Sequence, residues 1–362
     1  MVLRKLIGPD PAALGITLIL GAIGGLVAQA LHLPLGYLLG SLLVTGVLAV
    51  TGTRPLGHPI TLPPRLRMCF VPVIGVAIGG AFTPAVAGQA AGWWPSLLAL
   101  CLFVPFAHAV GFVIFRKGGL DVQTAFYGAV PGGLIESVQL GEEAGADVAL
   151  LTVLQFLRLI GTIVAVPLIF SGVTGHAVGS ASGVQMVGAG AALGPGDVVI
   201  LAACGLAGVA AGRALRLPGW IITGPILLSA VAHALALVEG VPPSWLIAAT
   251  QIVVGSGLGA RFAGAAPAVL RRGALLAAAN GIVALGLALG FALGLHALVG
   301  EPVAAVFLAF APGGLAEMSL IALSLKMSVI YVTAHHVLRI VLAVGLAKLG
   351  ARMLQRLPDP EK

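Results

Sequence analysis

The sequence predicts an all-α polytopic membrane protein with about ten transmembrane spans. Of its 362 residues, 59% are hydrophobic and only 9% are charged, and the mean hydropathy is +1.11. A soluble globular chain is about half apolar and about one quarter charged. The 52 glycines and 23 prolines follow no Gly-X-Y period, which excludes collagen. Long apolar runs and an internal duplication complete the evidence for this fold class.

The apolar runs supply the predicted spans, because a helix needs roughly 20 apolar residues to cross the hydrocarbon core of a bilayer. Two further apolar stretches, 121–147 and 302–328, are each broken by Pro-Gly-Gly near the middle. We expect each stretch to form two half-helices that meet at a tip, as a re-entrant hairpin. The predicted spans are residues 12–31, 35–51, 68–82, 95–115, 148–170, 198–215, 219–237, 245–262, 274–299 and 330–354.

The second half of the chain repeats the first. Pro-Gly-Gly-Leu-Ile-Glu at 131–136 matches Pro-Gly-Gly-Leu-Ala-Glu at 312–317, at an offset of 181 that also aligns 155–158 with 336–339. The duplication predicts a first repeat at 1–170, a linker at 171–196 and a second repeat at 197–362. Earlier segments recur at similar offsets: 29–34 matches 213–218 at 184, and 75–79 matches 255–259 at 180.

The basic residues predict how the spans are oriented, since cytoplasmic segments are enriched in Lys and Arg. If the N-terminus is cytoplasmic and each broken stretch returns to its own side, 16 of the 19 basic residues are cytoplasmic. Arg158 and Arg339 then lie within spans and Lys326 lies outside. If each broken stretch instead crossed the membrane once, Arg213 and Arg216 would lie outside the cell, which the enrichment of basic residues in cytoplasmic segments disfavours. Five crossings per repeat give two repeats of opposite orientation and cytoplasmic termini, as in many secondary transporters.

Ionisable residues at membrane depth are functional candidates, because hydrocarbon tolerates them poorly. Each broken stretch places a glutamate three residues after its last glycine and an arginine 22 residues after that glutamate. Glycines let the backbone approach a ligand closely, and the N-terminus of the second half-helix attracts anions. The candidate substrate-binding and ion-binding residues are Pro131, Gly132, Gly133, Glu136, Gln155, Arg158, Pro312, Gly313, Gly314, Glu317, His336 and Arg339.

Two interpretations of these residues remain open. In a transporter, Arg158 and Arg339 orient the substrate or the carboxylates, and Glu136 and Glu317 bind the coupling proton or cation. In a scaffold, each glutamate caps its half-helix and pairs with an arginine. His336 aligns with Gln155, which favours a polar lining role. Its neighbour His335 points about 100° away on a helix, so the two cannot hold one metal ion.

The sequence predicts neither an enzyme nor a metal protein. No nucleotide-binding loop, HExxH segment or dinucleotide fingerprint is present. The eight histidines are scattered apart from one adjacent pair, whereas copper or iron oxidation needs clustered ligands. The net charge of +7 comes from short basic clusters between apolar runs, which membrane topology explains better than nucleic-acid binding. No cofactor is expected apart from a coupling H⁺ or Na⁺.

The two Pro-Gly-Gly-Leu-x-Glu tips, and the arginine span that follows each, resemble the AbrB-type family of duplicated bacterial membrane proteins. The resemblance covers residues 12–354. Members of that family carry the label of ammonia monooxygenase, and the family name has been linked to gene regulation. They are distinct from the small soluble DNA-binding AbrB regulators. The resemblance implies a multi-pass membrane protein, and the family label implies a membrane monooxygenase, which the scattered histidines do not favour.

The residues together predict a secondary transporter of the inner membrane. It would move a small polar or anionic metabolite, coupled to H⁺ or Na⁺, by alternating access at the two tips. Its partners would be the lipid bilayer, the substrate and a second copy of the chain in a homodimer. The alternative is a membrane sensor or scaffold that transports nothing and affects gene expression indirectly.

Overall fold

The computed structural model describes residues 10–33, 35–82, 90–174, 193–217 and 219–354. Their regular structure consists of fourteen α-helices and short 3-10 turns, without strands, which confirms the all-α prediction. In chain order the helices are α1 Pro11–Ala30, α2 Gly36–Val50, α3 Pro64–Gly79, α4 Trp94–Lys117, α5 Val122–Ala129, α6 Leu134–Glu143, α7 Val148–Thr174, α8 Pro195–Ala214, α9 Trp220–Ala234, α10 Ser244–Gly259, α11 Pro267–Val299, α12 Val303–Phe310, α13 Leu315–Ser324 and α14 Val329–Leu354.

Seven helices in the described residues are long and apolar enough to cross a membrane, namely α1, α4, α7, α8, α10 together with the 3-10 turn that extends it to Phe262, α11 and α14. The other three predicted spans correspond to shorter helices. Helices α2 and α9 have 15 residues and α3 has 16, and 16 residues extend about 24 Å, less than the roughly 30 Å of a hydrocarbon core. The count of ten spans therefore stays a prediction.

Helix α11 differs most from its predicted span, which began at residue 274. It begins at Pro267 and runs for 33 residues, because proline is well suited to the first helical position, where no backbone N–H is needed. The predicted linker lies mostly outside the described residues, since 175–192 is not described.

The described residues form two compact units, and each unit combines segments of both repeats. The first unit contains α1, α2, α3, the end of α7 from Val164, α8, α9, α10 and the segment Ser319–Ile330. The second unit contains α4, α5, α6, α7 as far as Ile163, α11, α12, α13 as far as Met318, and α14 from Tyr331. All twelve candidate binding residues belong to the second unit.

Within the first unit, close packing of glycines repeats with the sequence. Gly40 of α2 lies directly against the backbone of Gly24 in α1, and Gly224 of α9 lies in the same way against Gly208 of α8. These four residues are related by the offset of 184. A side chain at any of them would collide with the neighbouring helix, so the small residues allow the two helices of each pair to approach closely.

The first unit also pairs helices of different repeats in equivalent ways. A Cβ atom at Gly75 of α3 would lie 2.7 Å from the carbonyl oxygen of Ile222 in α9, and one at Gly255 of α10 would lie even closer to that of Leu38 in α2. Helix α3 of the first repeat therefore packs on α9 of the second, and α10 of the second on α2 of the first. The duplication is thus visible in the packing as well as in the sequence.

Candidate functional site

The two broken stretches each form a short helix, a Pro-Gly-Gly tip and a second short helix. We call residues 131–133 the first tip and residues 312–314 the second tip. Helix α5 begins after Asp121, whose carboxylate accepts a 2.8 Å hydrogen bond from the N–H of Thr124. Helix α6 begins after Gly133, which has a φ of +61°. That left-handed conformation favours glycine, which explains why the chain can turn sharply there.

Each tip lies against a long helix of the other repeat. A Cβ atom at Gly132 would lie 3.2 Å from Ala343 Cβ and 3.7 Å from the carbonyl oxygen of Arg339, both in α14. A Cβ atom at Gly314 would lie 3.3 Å from Leu159 in α7. Residue 159 aligns with residue 340, so each tip contacts the neighbourhood of the opposite repeat's arginine. The structure therefore brings both tips and both arginines into one region of the second unit.

Arg158 and Arg339 bind the backbone at the end of the helix that precedes each tip. A guanidinium N–H of Arg158 donates to the carbonyl oxygen of Val130, and one of Arg339 donates to that of Ala311, the equivalent residue. Arg339 also donates to the carbonyl oxygen of Gly313 at 2.6 Å. The last carbonyls of a helix lack intrahelical partners and carry partial negative charge. The arginines therefore stabilise the tips, a role that both sequence interpretations missed.

Gln155 and His336 donate to backbone carbonyls of the same two short helices, about one turn before the carbonyls that the arginines bind. The side-chain amide of Gln155 donates to the carbonyl oxygen of Tyr127 at 2.8 Å, and Nε2 of His336 donates to that of Leu308 at 2.8 Å. Nδ1 of His336 lies 3.1 Å from a guanidinium nitrogen of Arg339 and accepts its hydrogen bond. Both ring nitrogens of His336 are thus engaged, which fixes its neutral Nε2–H form and leaves no lone pair for a metal ion.

The two glutamates lie in the first turn of the helix that follows each tip. Glu136 is the third residue of α6, and Glu317 is the third residue of α13. The Glu317 carboxylate folds back over Gly314, as expected for a carboxylate near the positive end of a helix dipole. In the described part of the chain, the hydrogen bonds of Arg158 and Arg339 end on backbone oxygens and His336, not on either glutamate.

The region between the tips has unused hydrogen-bonding capacity and positive charge. The two guanidinium groups lie close enough to repel each other electrostatically. Both are buried, with exposed fractions of 7% and 2%. No described residue accepts a hydrogen bond from Nε of Arg158 or Arg339, and Oε1 of Gln155 is likewise buried without a donor. Buried polar atoms without partners are uncommon in folded proteins, and donors of this kind suit a carboxylate or another small anion.

The described residues contain no group of three or more His, Cys, Asp or Glu side chains that could hold a metal ion. Sequence reasoning selected the side chains of the site but not its backbone acceptors, the carbonyls of Tyr127, Val130, Leu308 and Ala311. Every residue has a carbonyl, so residue identity carries no signal for these acceptors. The alignment of Val130 with Ala311 at the offset of 181 was the one available clue.

Comparison with known proteins places the chain in a family. Residues 53–355 match the model of the family described as "Transition state regulatory protein AbrB". The chain belongs to the AbrB family. A family member of Bacillus subtilis (strain 168), "Uncharacterized protein YhjN", is 25% identical over 95% of this chain and 93% of its own length. The "Putative regulator AbrB" of Escherichia coli (strain K12) is 26% identical over 86% of this chain and 87% of its own length.

Membership of the AbrB family confirms the resemblance that the two tips and their arginines suggested. The two relatives match 95% and 86% of this chain and are similar to it in length. The composition and the long apolar helices identify this member of the AbrB family as a membrane protein.

Proposed function

We propose that this AbrB-family protein is a secondary transporter of a small polar or anionic metabolite, driven by H⁺ or Na⁺. The observation that carries the proposal is the pair of buried arginines at the two tips, each with an Nε–H that no described residue accepts. A carboxylate that reaches both guanidinium groups would relieve their mutual repulsion and fill the unused donors. Glycines at both tips would let the backbone N–H groups approach such an anion closely.

The proposal includes the membrane arrangement that the sequence predicts. The protein would lie in the inner membrane with ten spans, both termini in the cytoplasm, two re-entrant hairpins and two repeats of opposite orientation. Alternating access would expose the paired tips to one side of the membrane at a time, and a second copy would complete a homodimer. A tag in the predicted linker at 171–196 should be reached only from outside the cell, and a cytoplasmic tag would contradict the orientation.

Substrate exchange in proteoliposomes tests the function directly. Purified protein is reconstituted, loaded with an unlabelled anion and assayed for uptake of the same labelled anion, across small mono- and dicarboxylates and amino acids. We expect at least one anion to exchange. Arg339→Gln should lower the exchange by at least about tenfold, because a hydrogen bond to a charged group contributes about 1.5–3 kcal/mol and 1.4 kcal/mol is tenfold.

Arg272 provides a matched control for this assay. It lies in α11 on the surface of the second unit and donates to the carbonyl oxygens of Gly118 at 3.2 Å and Gly119 at 2.8 Å, just after the end of α4. Arg272→Gln therefore removes the same kind of arginine-to-carbonyl contact away from the tips, and exchange should persist. Equal exchange by the Arg339 and Arg272 variants would reject the proposed site. No exchange of any anion by the wild-type protein would favour a sensor or scaffold.

A further inference from the structure

A second buried polar cluster lies in the second unit beside the tips. It consists of Ser96, Glu301, Tyr331 and His335, and we call these four residues the polar cluster. Ser96 and His335 are fully buried, and Nε2 of His335 lies 2.8 Å from the Ser96 hydroxyl. The rings of Tyr331 and His335 are 4.1 Å apart between centroids. Glu301 lies near Trp93 and interacts electrostatically with Tyr331.

The hydrogens of this cluster can be counted. Nδ1 of His335 lies 2.7 Å from the carbonyl oxygen of Tyr331, and a carbonyl only accepts, so Nδ1 carries a hydrogen. The Ser96 hydroxyl lies 2.9 Å from the carbonyl oxygen of Trp93 and has one hydrogen to donate. If it donates to Trp93, Nε2 of His335 must also carry a hydrogen, which makes the ring an imidazolium. A neutral His335 forfeits one of these three bonds.

The neighbouring histidine shows the opposite situation. His336 donates from Nε2 to Leu308 and accepts at Nδ1 from Arg339, so its neutral form already satisfies both nitrogens. A proton added at Nδ1 would face the Arg339 guanidinium and remove that bond. Of the two adjacent histidines, therefore, only His335 gains a hydrogen bond when it binds a proton.

The duplication supplies an internal comparison for the polar cluster. The offset of 181 relates Glu301, Tyr331 and His335 to Leu120, Leu150 and Leu154, and Ser96 to Ala277. Those four apolar residues pack together in one buried hydrophobic cluster. The same place in the duplicated fold is thus built once from apolar side chains and once from polar ones. Burying polar groups costs free energy that apolar packing does not, so folding alone does not account for the polar version.

We propose that His335, held between the Ser96 hydroxyl and the Tyr331 carbonyl, is a proton-binding site, and that the coupling ion of the proposed transporter is H⁺. The titratable and charged groups around His335 are Tyr331, His336 and Arg339 on α14 and Glu301 on the segment before α12. Polar and aromatic contacts come from Ser96 and Trp93, at the start of α4, and from Phe310 of α12. Glu301 is the acidic member of the polar cluster. The link to coupling rests on the proposed transport function, whereas proton binding itself does not.

Potentiometric titration of the purified full-length protein from about pH 8 down to about pH 3 tests proton binding without any substrate. We expect His335→Leu to take up about one proton fewer than the wild-type protein over this range, which extends below the ordinary titration range of histidine because burial disfavours the charged ring. His336→Gln is the matched control and should leave the count unchanged. Ser96→Ala should move the uptake of that proton to lower pH by about one unit or more, because the charged ring loses the hydroxyl oxygen that accepts from its Nε2–H.

The double variant Ser96→Ala with His335→Leu guards against loss of folding, since it gives two of the four positions the side chains of their apolar counterparts, Ala277 and Leu154. It should fold with a melting temperature no lower than that of the wild type and take up about one proton fewer. Equal proton counts for the wild type, His335→Leu and the double variant would overturn the proposal. So would a Ser96→Ala titration identical to that of the wild type.

A transport assay separates failure of this inference from failure of the proposed function. In proteoliposomes, an imposed pH gradient should drive accumulation by the wild type but not by His335→Leu, while exchange at equal pH on both sides persists in both proteins. Gradient-driven accumulation by His335→Leu would reject H⁺ coupling at this site and leave the transporter intact. Absence of exchange by the wild type would reject the proposed function, and the titration would still decide whether His335 binds a proton.

Discussion

The two tips share one backbone design but differ in how fully their side chains are used. At the second tip, Arg339 binds two carbonyls and His336, and both nitrogens of His336 are engaged. At the first tip, Arg158 binds one carbonyl and Oε1 of Gln155 has no donor among the described residues. Duplication thus preserved the arginine that caps the broken helix, while the second tip engages more of its side-chain nitrogens. Nε of each arginine has no acceptor among the described residues, and the first tip has in addition the unused Oε1 of Gln155.

The two tips should differ most in how much their arginines contribute to the free energy of unfolding. Arg339→Gln should lower the free energy of unfolding by about 3–5 kcal/mol, because it leaves buried carbonyls and His336 without a donor, while Arg158→Gln should cost about 1.5–3 kcal/mol. Denaturant unfolding of both variants in detergent measures the difference. Arg272→Gln, at the surface, serves as the reference and should stay near the wild type. Equal losses at Arg158 and Arg339 would remove the distinction between the tips.

A second comparison isolates how tightly the first tip is packed. Gly133 and Gly300 both have positive φ, at +61° and +70°, but a Cβ at Gly133 would lie 2.7 Å from Val344 whereas one at Gly300 would meet open space. Both alanine variants carry the backbone cost of about 1–2 kcal/mol, and Gly133→Ala adds about 1–3 kcal/mol of overpacking. The difference between their unfolding free energies measures the contact with α14. A difference near zero would mean that the first tip can shift away from Val344 at no cost in the free energy of unfolding.

Exchanging Gln155 and His336, the aligned residues that differ between the two tips, should change the free energy of unfolding less. Gln155→His and His336→Gln each keep a donor for the backbone carbonyl, so each should cost no more than about 1 kcal/mol, the net value of a single hydrogen bond. His336→Leu should cost more, because it leaves the buried Leu308 carbonyl without its donor. Thermal unfolding of the three variants checks the order. If His336→Gln is as damaging as His336→Leu, the two positions are not interchangeable as donors.

The smallest effect concerns the helices that open each repeat. The carboxylate of Asp10 caps α1 and lies 2.8 Å from His58. Its pKa is lowered below the ordinary 3.8, most by the hydrogen bond from the N–H of Ala13 and next by the hydrogen bond with His58. A lowered pKa means that the ionised carboxylate stabilises the fold at neutral pH and that this contribution is lost as the pH falls through the lowered pKa. Asp10→Ala should therefore melt slightly below the wild type at pH 7, and the gap should narrow below about pH 4.

Asp10→Asn is the control for that measurement, since an amide oxygen can still cap the helix. In the second repeat the equivalent cap is reversed: the Asp197 carboxylate accepts from the N–H of Gly194 at 2.9 Å. A gap between Asp10→Ala and the wild type that stays constant down to pH 3 would show that the charge of Asp10 contributes nothing.

Much of this organisation could be predicted from residue pattern, because apolar runs and repeated motifs are local properties. The tips, their arginines and the offset of 181 are all visible in the sequence. The partner of Arg158 was not, because it is a backbone carbonyl 28 residues away and no side chain marks it. Nor do the repeats correspond to compact units, since each unit combines segments of both. Such pairings depend on tertiary packing, which sequence periodicity does not encode.

The polar cluster shows the same limit in another form. His335 could be noted in the sequence beside His336, but nothing local distinguishes the two. The distinction comes from what each ring faces: Ser96, 239 residues away, for His335 and the guanidinium of Arg339 for His336.

A thermal-shift screen of the purified protein tests whether the paired arginines bind a ligand. Small carboxylates, amino acids and amines are compared with and without Na⁺ at several pH values, since a ligand of the folded state raises the melting temperature by mass action. We expect at least one anion to stabilise the wild type and Arg272→Gln but not Arg158→Lys, because lysine keeps the positive charge and lacks the planar guanidinium. An anion that stabilises Arg158→Lys equally, or a screen in which no anion stabilises the wild type, would contradict this expectation.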